Sequence, residues 1–198
     1  MKHIYPIFDL ALKKEDKETM LNQKARVIWI IGLSGSGKSS LARGLENSLH
    51  EAGYLTILLD GDNLRTGVNN NLGFSEEDRE ENIRRTAEVA KLFGGCGVIT
   101  ICSFISPTHY IQSMARSIIG EDLYREVYID CPLDVCEQRD TKGLYAKARR
   151  GEIINFTGID SPFEVPLNPD LEIRSAEEPI EASHQKLVDY VLKEIKQD

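Results

Sequence analysis

The chain contains a phosphate-binding pattern at residues 32–39, which read GLSGSGKS and match G-x-x-x-x-G-K-S. A glycine-rich turn that opens a helix points backbone N–H groups at phosphate. In such loops the lysine reaches the β- and γ-phosphates and the hydroxyl after it holds Mg²⁺. The apolar run VIWII precedes the loop and a helix-like run at 38–52 follows it, which favours a nucleotide site over a ligand-free loop. The predicted residues of this nucleoside-triphosphate site are Gly32, Leu33, Ser34, Gly35, Ser36, Gly37, Lys38 and Ser39.

A second group of chemically active residues is the segment DGDNLR at 60–65, directly after the second predicted strand. Transfer of a phosphoryl group to a hydroxyl needs a base for the hydroxyl proton and positive charge around the moving group. We interpret Asp62 as the base, and Asp60 as a residue that binds the water shell of Mg²⁺ or orients Lys38. The alternative is a simple turn, because Asp, Gly and Asn are all good turn formers.

The next predicted helix, at 75–93, carries Arg79 and Asn82 near its start, with Ser75 as N-cap and Asp78 completing a capping box. Residues three apart share a helix face. That face can bind an anionic substrate through a bidentate arginine contact. A solvated, salt-bridged surface is the other interpretation of this charged run, and the residues alone do not choose between them.

The third predicted strand ends in CSFISP, so Ile105 and Ser106 leave the sheet at the edge where parallel sheets bind ligands. Either Ser106 faces the site, or it caps the helix that follows Pro107.

Residues 139–150 are the one clearly basic segment, with five basic residues and one acidic residue in a chain of net charge −8. We interpret 141–169, which has little apolar periodicity, as a lid that closes over phosphates and excludes water. A surface that faces RNA or a membrane is the alternative, which the absence of interleaved aromatic residues disfavours. Phe74 and Phe156 lie in loops and can stack on a base from two sides, or can pin their loops to the core.

The elements that must position these residues alternate along the chain. Strands that are apolar throughout and separated by helices predict an α/β fold with a parallel sheet covered on both faces. We expect an N-terminal arm at 1–24 and one domain at 25–198. The predicted strands are 26–32, 55–60, 98–104, 126–130 and 171–173, and the predicted helices are 38–52, 75–93, 107–119, 132–139 and 179–196.

Composition limits the classes of protein that fit. The 198 residues suit one domain, and the acidic balance argues against general nucleic-acid binding. The four cysteines form no C-x-x-C pair and are expected to be reduced and mostly buried, with a redox switch as the alternative. We find no run long enough for a membrane helix and no signal-peptide pattern, and expect a cytoplasmic protein. The arm has an apolar patch (Ile4, Ile7, Phe8, Leu10 and Leu12) that packs on the domain or a second subunit, or is a loose tail.

Taken together, six segments resemble the adenylylsulfate kinase (APS kinase) family from about residue 25 to 173. Besides the phosphate loop and DGDNLR they are LGFSEEDREENIRR, SFISP, CEQRDTKGLYAKAR and FTGIDSPFE, in this order. The resemblance implies a P-loop, nucleotide-kinase-like three-layer sandwich with a basic lid. It also implies the reaction: MgATP and adenosine 5′-phosphosulfate (APS) give ADP and 3′-phosphoadenosine 5′-phosphosulfate (PAPS), by transfer to the ribose 3′-hydroxyl.

The resemblance also implies roles for the residues left open above. The implied catalytic residues are Lys38, Asp62 and Ser106. In some family members the serine that corresponds to Ser106 has been described as a phosphorylated intermediate, although direct transfer needs no such step. Ser39 and Asp60 would hold Mg²⁺. The implied partners are ATP, APS and a second copy in a homodimer, with no nucleic acid or membrane. The implied APS-binding residues are Asp62, Asn63, Arg65, Phe74, Arg79, Asn82, Ile105, Ser106, Lys142, Asn155 and Phe156.

The chain departs from the family pattern at two places near these residues. The stretch after Pro107 lacks the usual arginine, and Ala146 replaces a usual lysine in the lid. No sulfurylase domain is attached, so we expect a stand-alone kinase. Two other functions stay open: a P-loop kinase for another nucleotide or small metabolite, and a nucleotide-dependent regulatory switch. Against the switch, the chain has no N-K-x-D guanine-reading motif.

Overall fold

A computed structural model describes residues 3–7 and 10–197 of the chain. The strands are β1 Val27–Ile31, β2 Thr56–Asp60, β3 Ile99–Phe104, β4 Tyr124–Asp130 and β5 Leu171–Arg174. The helices are α1 Lys14–Leu21, α2 Lys38–Glu51, α3 Gly61–Leu64, α4 Glu76–Gly95, α5 His109–Ile119, α6 Leu133–Arg139, α7 Leu144–Arg149 and α8 Ile180–Ile195.

The strands form one parallel sheet in the order β2-β3-β1-β4-β5. In the register of the central strand, Val27 lies opposite Thr100 of β3 and Tyr124 of β4. The chain moves to one side of β1 for β3 and to the other for β4, so the loop after β1 opens at a switch point of the topology. Ligands bind at such points in open α/β sheets. The predicted α/β sandwich with a parallel sheet is confirmed.

Alternation along β1 sends side chains to two apolar layers. Val27, Trp29 and Ile31 pack in a cluster that includes residues of α4 and α5. Ile28 and Ile30 pack with residues of α2 and α8 on the other face. All five residues of β1 are buried, because helices cover both faces of the sheet.

A third apolar cluster lies beyond the carboxyl end of the sheet and joins the phosphate loop to the lid. It contains Leu33, Cys131, Cys136, Tyr145, Ala148 and Phe156. The cysteine prediction is confirmed in that all four are free and three are buried, while Cys96 is exposed. Among the described residues, no helix is long and apolar enough to span a membrane.

Three short helices were not predicted: α1 in the arm, α3 after β2, and α7 inside the lid. The N-terminus of α7 is held by the Asp140 carboxylate, which accepts hydrogen bonds from the backbone N–H groups of Tyr145 (3.1 Å) and Ala146 (3.0 Å). A cap of this kind stabilises a helix too short to show apolar periodicity. Elsewhere β4 begins at Tyr124, two residues earlier than predicted, and α5 begins at His109, two residues later.

The N-terminal arm divides into two parts. Helix α1 packs on the domain: Lys17 Nζ donates to the carbonyl of Gly95 at 3.1 Å, and the N–H of Ala25 donates to the buried Glu18 carboxylate at 2.6 Å. The described apolar residues before the helix are exposed, whereas Phe8 lies outside the described residues. These exposed residues are Ile4, Tyr5, Ile7, Leu10 and Leu12.

Candidate active site

The phosphate loop joins the end of β1 to the start of α2. Gly35 and Gly37 have φ angles of +76° and +102°, which side chains rarely adopt. A Cβ at Gly35 would lie 2.8 Å from the carbonyl oxygen of Cys136, so the loop also packs too closely for a larger residue. No side chain caps the N-terminus of α2. The first N–H groups of this 14-residue helix therefore remain available to an anion.

Two polar groups of the loop are poised for phosphate. Lys38 is 8% exposed and its Nζ donates to the carbonyl of Leu33 at 2.6 Å. Burial lowers the pKa of Lys38 to about 8, because the charged ammonium has lost its water. The hydroxyl oxygen of Ser36 is buried and has no hydrogen-bond partner among the described residues. Both observations fit an anion bound inside the loop.

Asp60 and Ser39 bring carboxylate and hydroxyl oxygens together beside the loop. The Ser39 hydroxyl donates to Asp60 Oδ2 at 2.9 Å. Asp60 Oδ1 accepts from the N–H of Asp62 at 3.1 Å and so caps α3, which makes Asp60 a turn residue as well as a candidate ligand. Mg²⁺ prefers hard oxygen ligands and takes only one or two from protein, the rest being phosphates and waters. This pair of residues fits that requirement.

Asp62 faces the lid. Its carboxylate forms an ion pair with Lys142 Nζ. The hydrogen bond with Asp62 raises the pKa of Lys142. Asn63, the next residue, is exposed. The structure therefore joins two predicted site residues that are 80 positions apart in the chain.

Arg65 and Phe74 form one unit at the rim of the site. The guanidinium carbon of Arg65 lies 4.4 Å from the centre of the Phe74 ring. Arg65 Nη1 also donates to the carbonyl of Gly73 at 2.6 Å. Phe74 is 66% exposed, as expected for an aromatic residue that is available to stack.

Arg79 ties the start of α4 to the loop at 155–161. Its Nη1 donates to Thr157 Oγ1 at 2.9 Å, its Nη2 donates to the carbonyl of Asn155, and its Nε donates to the carbonyl of Phe74 at 3.1 Å. Burial lowers the pKa of Arg79, and Asp160 opposes that shift. A solvated surface is therefore the wrong interpretation of this residue.

The rest of the charged run on α4 divides by face. Asn82 is buried and its Oδ1 accepts from Asn69 Nδ2 at 2.9 Å. In contrast, Glu81 pairs with Arg84 and Arg85, as a solvent-facing network does. The predicted N-cap is confirmed, since Ser75 accepts from the N–H of Asp78. The capping box is wrong, because the Asp78 carboxylate accepts from Gly73 instead.

Ser106 neither caps the next helix nor faces solvent. It is 1% exposed, and its hydroxyl accepts from the indole N–H of Trp29 at 3.0 Å. Its φ of +44° is uncommon for a serine. The cap of α5 is Thr108, whose side chain accepts from the N–H of Ile111. The Ser106 hydroxyl is therefore buried, whereas the neighbouring Ile105 is half-buried.

Phe156 differs from the expected exposed aromatic residue. It is 9% exposed, and its ring meets that of Tyr145 edge-on at 4.9 Å. The Asp160 carboxylate holds the loop that carries it, by accepting from the N–H of Asn155 at 2.7 Å and of Phe156 at 2.5 Å. Asn155 itself has a left-handed φ of +57°. This aspartate and Tyr145 were missed because nothing local in the sequence marks their partners.

Three of the five basic residues of the segment 139–150 have partners away from the phosphate loop. Arg149 binds Glu137, Arg150 binds Glu152, and Arg139 Nη2 donates to the carbonyl of Ser175 at 2.8 Å. Lys142 of the lid pairs with Asp62 of α3, two residues beyond the end of β2. Within this segment, Arg149 and Arg150 are thus neutralised by glutamates, whereas Lys142 pairs with Asp62.

A cavity of about 500 Å³ opens beside these residues. It is lined by Leu33 of the phosphate loop, by Leu133, and by residues 158–163. The cavity therefore lies between the phosphate loop and the 155–161 loop, and none of the predicted APS-binding residues lines it.

A phosphate loop at the switch point of a parallel sheet, with a carboxylate and a lid lysine beside it, defines a P-loop small-molecule kinase. Residues 24–174 match the family described as adenylylsulphate kinase, so the chain belongs to that family. The adenylyl-sulfate kinase of Bacteroides thetaiotaomicron is 57% identical over 193 residues, covering 98% of this chain and 96% of the relative. That of Clostridium acetobutylicum is 54% identical over 189 residues, covering 96% and 92%.

Solved structures agree with this assignment. The Mycobacterium tuberculosis APS kinase in complex with AMPPNP and APS superposes with a TM-score of 0.81 at 47% identity, covering 85% of this chain and 98% of that one. A shikimate kinase from Aquifex aeolicus, 17% identical with a TM-score of 0.51, shares the fold alone, covering 84% of this chain and 96% of that one.

Proposed function

We propose that this chain transfers the γ-phosphoryl group of ATP to the ribose 3′-hydroxyl of APS, giving ADP and PAPS. The observation that carries the proposal is the ion pair between Asp62 and Lys142, which lies at the sheet edge that also holds the phosphate loop. A base and a cation at one point are what an in-line transfer to a hydroxyl needs. The relative whose structure contains both AMPPNP and APS supports the choice of substrates.

The nucleotide is held by the phosphate loop, residues 32–39. Its N–H groups and the N-terminus of α2 bind the phosphates, and Lys38 leaves the Leu33 carbonyl to reach them. Ser39 and Asp60 would hold Mg²⁺, whose charge would offset that of the nucleotide phosphates.

The acceptor is held by the other half of the site. Asp62 accepts the proton of the 3′-hydroxyl, and Lys142 moves from Asp62 to the transferring phosphoryl group. Arg79 uses three N–H groups on the protein and keeps two of its five for the phosphosulfate. The further APS contacts are Asn63, Arg65, Phe74, Asn82, Ile105, Ser106, Asn155 and Phe156.

Transfer is direct, without a phosphoserine. The Ser106 hydroxyl is buried against Trp29, so a phosphate there would have to break the core of the sheet. Ser106 instead shapes the wall of the acceptor pocket. Rapid-quench analysis of the protein with labelled ATP and no acceptor checks this, and label retained on the protein would contradict it.

The chain functions as a homodimer in the cytoplasm. The exposed apolar residues of the arm, Ile4, Ile7, Leu10 and Leu12, offer an apolar surface to a second copy. A Thiobacillus denitrificans APS kinase, 27% identical and much longer, is described as hexameric. Light scattering of the full chain should give twice the mass of the monomer, and replacement of the four residues by serine should give the monomer mass. A monomeric wild type would exclude the dimer.

The direct test of the reaction is ADP release from MgATP with and without APS, combined with product mass and phosphorus NMR. We expect release that depends on APS, and a product one phosphoryl group heavier than APS and modified at the 3′ position. AMP, which lacks the sulfate, serves as the matched acceptor control and should react poorly. Equal release without APS, or preference for an unrelated acceptor in a panel, would contradict the proposal.

A further inference from the structure

The Tyr145 side chain connects the phosphate loop to the loop at 155–161, which carries Phe156. It belongs to the lid helix α7 and is 1% exposed. Its hydroxyl donates to the carbonyl of Ser34, inside the phosphate loop, at 2.8 Å. Its ring meets Phe156 edge-on with centroids 4.9 Å apart. One side chain therefore contacts both substrate-binding segments, which are more than 100 residues apart in the chain.

The hydroxyl contact fixes the direction of a peptide group in the loop. In a trans peptide unit the carbonyl and the next N–H point in opposite directions. Because the Ser34 carbonyl points at Tyr145, the Gly35 N–H points away from it. A glycine at φ +76° has no side chain to hold this orientation, so the hydroxyl is an external restraint on it.

The Tyr145 ring has a separate role in packing. It fills the cluster that also contains Leu33 and Phe156. The Asp140 carboxylate accepts a hydrogen bond from the N–H of Tyr145 and so holds the backbone of this residue in place. A phenylalanine would fill the same volume, so packing alone does not require the hydroxyl.

We propose that Tyr145 is a positioning residue for both substrates. Its hydroxyl holds the phosphate loop in the conformation that binds ATP, and its ring holds Phe156 in place for APS. This inference rests on the proposed function, which assigns ATP to residues 32–39 and APS to the pocket of Phe156.

The two contacts are separated by two substitutions. Tyr145→Phe removes the hydrogen bond and keeps the ring, and should raise the KM for ATP about three- to tenfold while the KM for APS stays within about twofold. Tyr145→Leu removes both contacts and should raise both KM values. Tyr124→Phe is the matched control, because its hydroxyl is also buried and bonded, to Glu126, but at the opposite edge of the sheet. It should lower Tm without changing the ratio of the KM values.

Calorimetric titration with AMPPNP alone separates this inference from the proposed reaction, since it needs no acceptor. The inference is supported if Tyr145→Phe binds AMPPNP more weakly than the wild-type protein and Tyr124→Phe binds it as tightly as the wild type. This result would hold even if APS is not the acceptor. Unchanged AMPPNP affinity in Tyr145→Phe would overturn it. Equal increases in both KM values of Tyr145→Phe, accompanied by a lower Tm, would also overturn it, because they would indicate a purely structural role. If Tyr145→Leu does not fold, Tyr145→Phe still decides whether the hydroxyl positions the phosphate loop, and Phe156→Leu, which replaces the other ring of the pair, tests the ring contact through the KM for APS.

Discussion

The phosphate loop and the acceptor pocket lie at the same edge of the sheet, but they are held in different ways. The loop is contiguous, follows a fully buried strand, and is shaped by backbone conformation at Gly35 and Gly37. The acceptor pocket is assembled by side chains from three distant segments, with Arg79 joining two of them. Its proposed base and lid lysine have side chains that are 70% and 60% exposed. The phosphate loop is therefore shaped by backbone conformation, whereas the proposed acceptor site depends on side-chain contacts between segments.

This difference separates the variants that abolish transfer from those that change one substrate's binding. Lys38→Met should reduce kcat/KM by about 10⁴-fold, because the lysine neutralises charge on the moving phosphoryl group. ADP release measures the effect, and Lys91→Met on the exposed side of α4 is the control with the same change in charge. Substantial activity in Lys38→Met would contradict the proposal that Lys38 acts on the nucleotide phosphates.

Asp62→Asn should lower kcat by about 10³-fold and leave the affinity for AMPPNP unchanged, because the amide cannot accept the hydroxyl proton. Steady-state kinetics and calorimetry give the two values. Asp189→Asn, on the exposed face of α8, controls for loss of one carboxylate. A near-normal rate would assign the base to another group.

The Lys38 charge should also cost the folded protein stability. The pKa of Lys38 is about 8 in the folded protein and 10.5 ordinarily, so unfolding favours the charged form. The penalty is present in full below about pH 8, shrinks as the pH rises, and is absent above about pH 10.5. Lys38→Met should therefore be more stable than wild type by roughly 1–3 kcal/mol at pH 7. Thermal unfolding from pH 7 to 10 should show this difference shrinking, and a constant difference would contradict it.

Phe74 and Phe156 offer the smallest and sharpest comparison. Either change to alanine should raise the KM for APS by roughly tenfold if the rings stack on the adenine. Phe156→Ala should also lower Tm, since the ring is 9% exposed, whereas Phe74→Ala should leave Tm nearly unchanged, since that ring is 66% exposed. Kinetics and thermal unfolding of the two variants test this. An unchanged KM for APS in both variants would exclude stacking of the adenine between the two rings.

The same division explains how much the sequence predicts. The phosphate loop, its strand and its helix are adjacent in the chain, so pattern and periodicity suffice to place them. The bond from Arg79 to Thr157 spans 78 residues, and that from Asn69 to Asn82 joins the loop before α4 to the helix itself. No local pattern encodes such contacts, which depend on how the elements pack.

Errors arose where a residue's environment is set by the tertiary structure. Phe156 has the sequence context of an exposed loop, but Tyr145 of the lid covers it. Ser106 has the sequence context of a helix cap, but its hydroxyl accepts a hydrogen bond from the buried Trp29 indole. The lid arginines look like phosphate ligands until their glutamate partners are seen to lie within 15 residues of them.

The central claim is that the two substrates are held by separable halves of the site, and Arg79→Ala tests it most directly. Calorimetry should measure the affinities of this variant for AMPPNP and for APS separately, with Arg84→Ala, whose partner is Glu81, as control. We expect AMPPNP affinity within about twofold of wild type and APS affinity at least about tenfold weaker. Equal losses for both ligands, or unchanged affinity for APS, would contradict it.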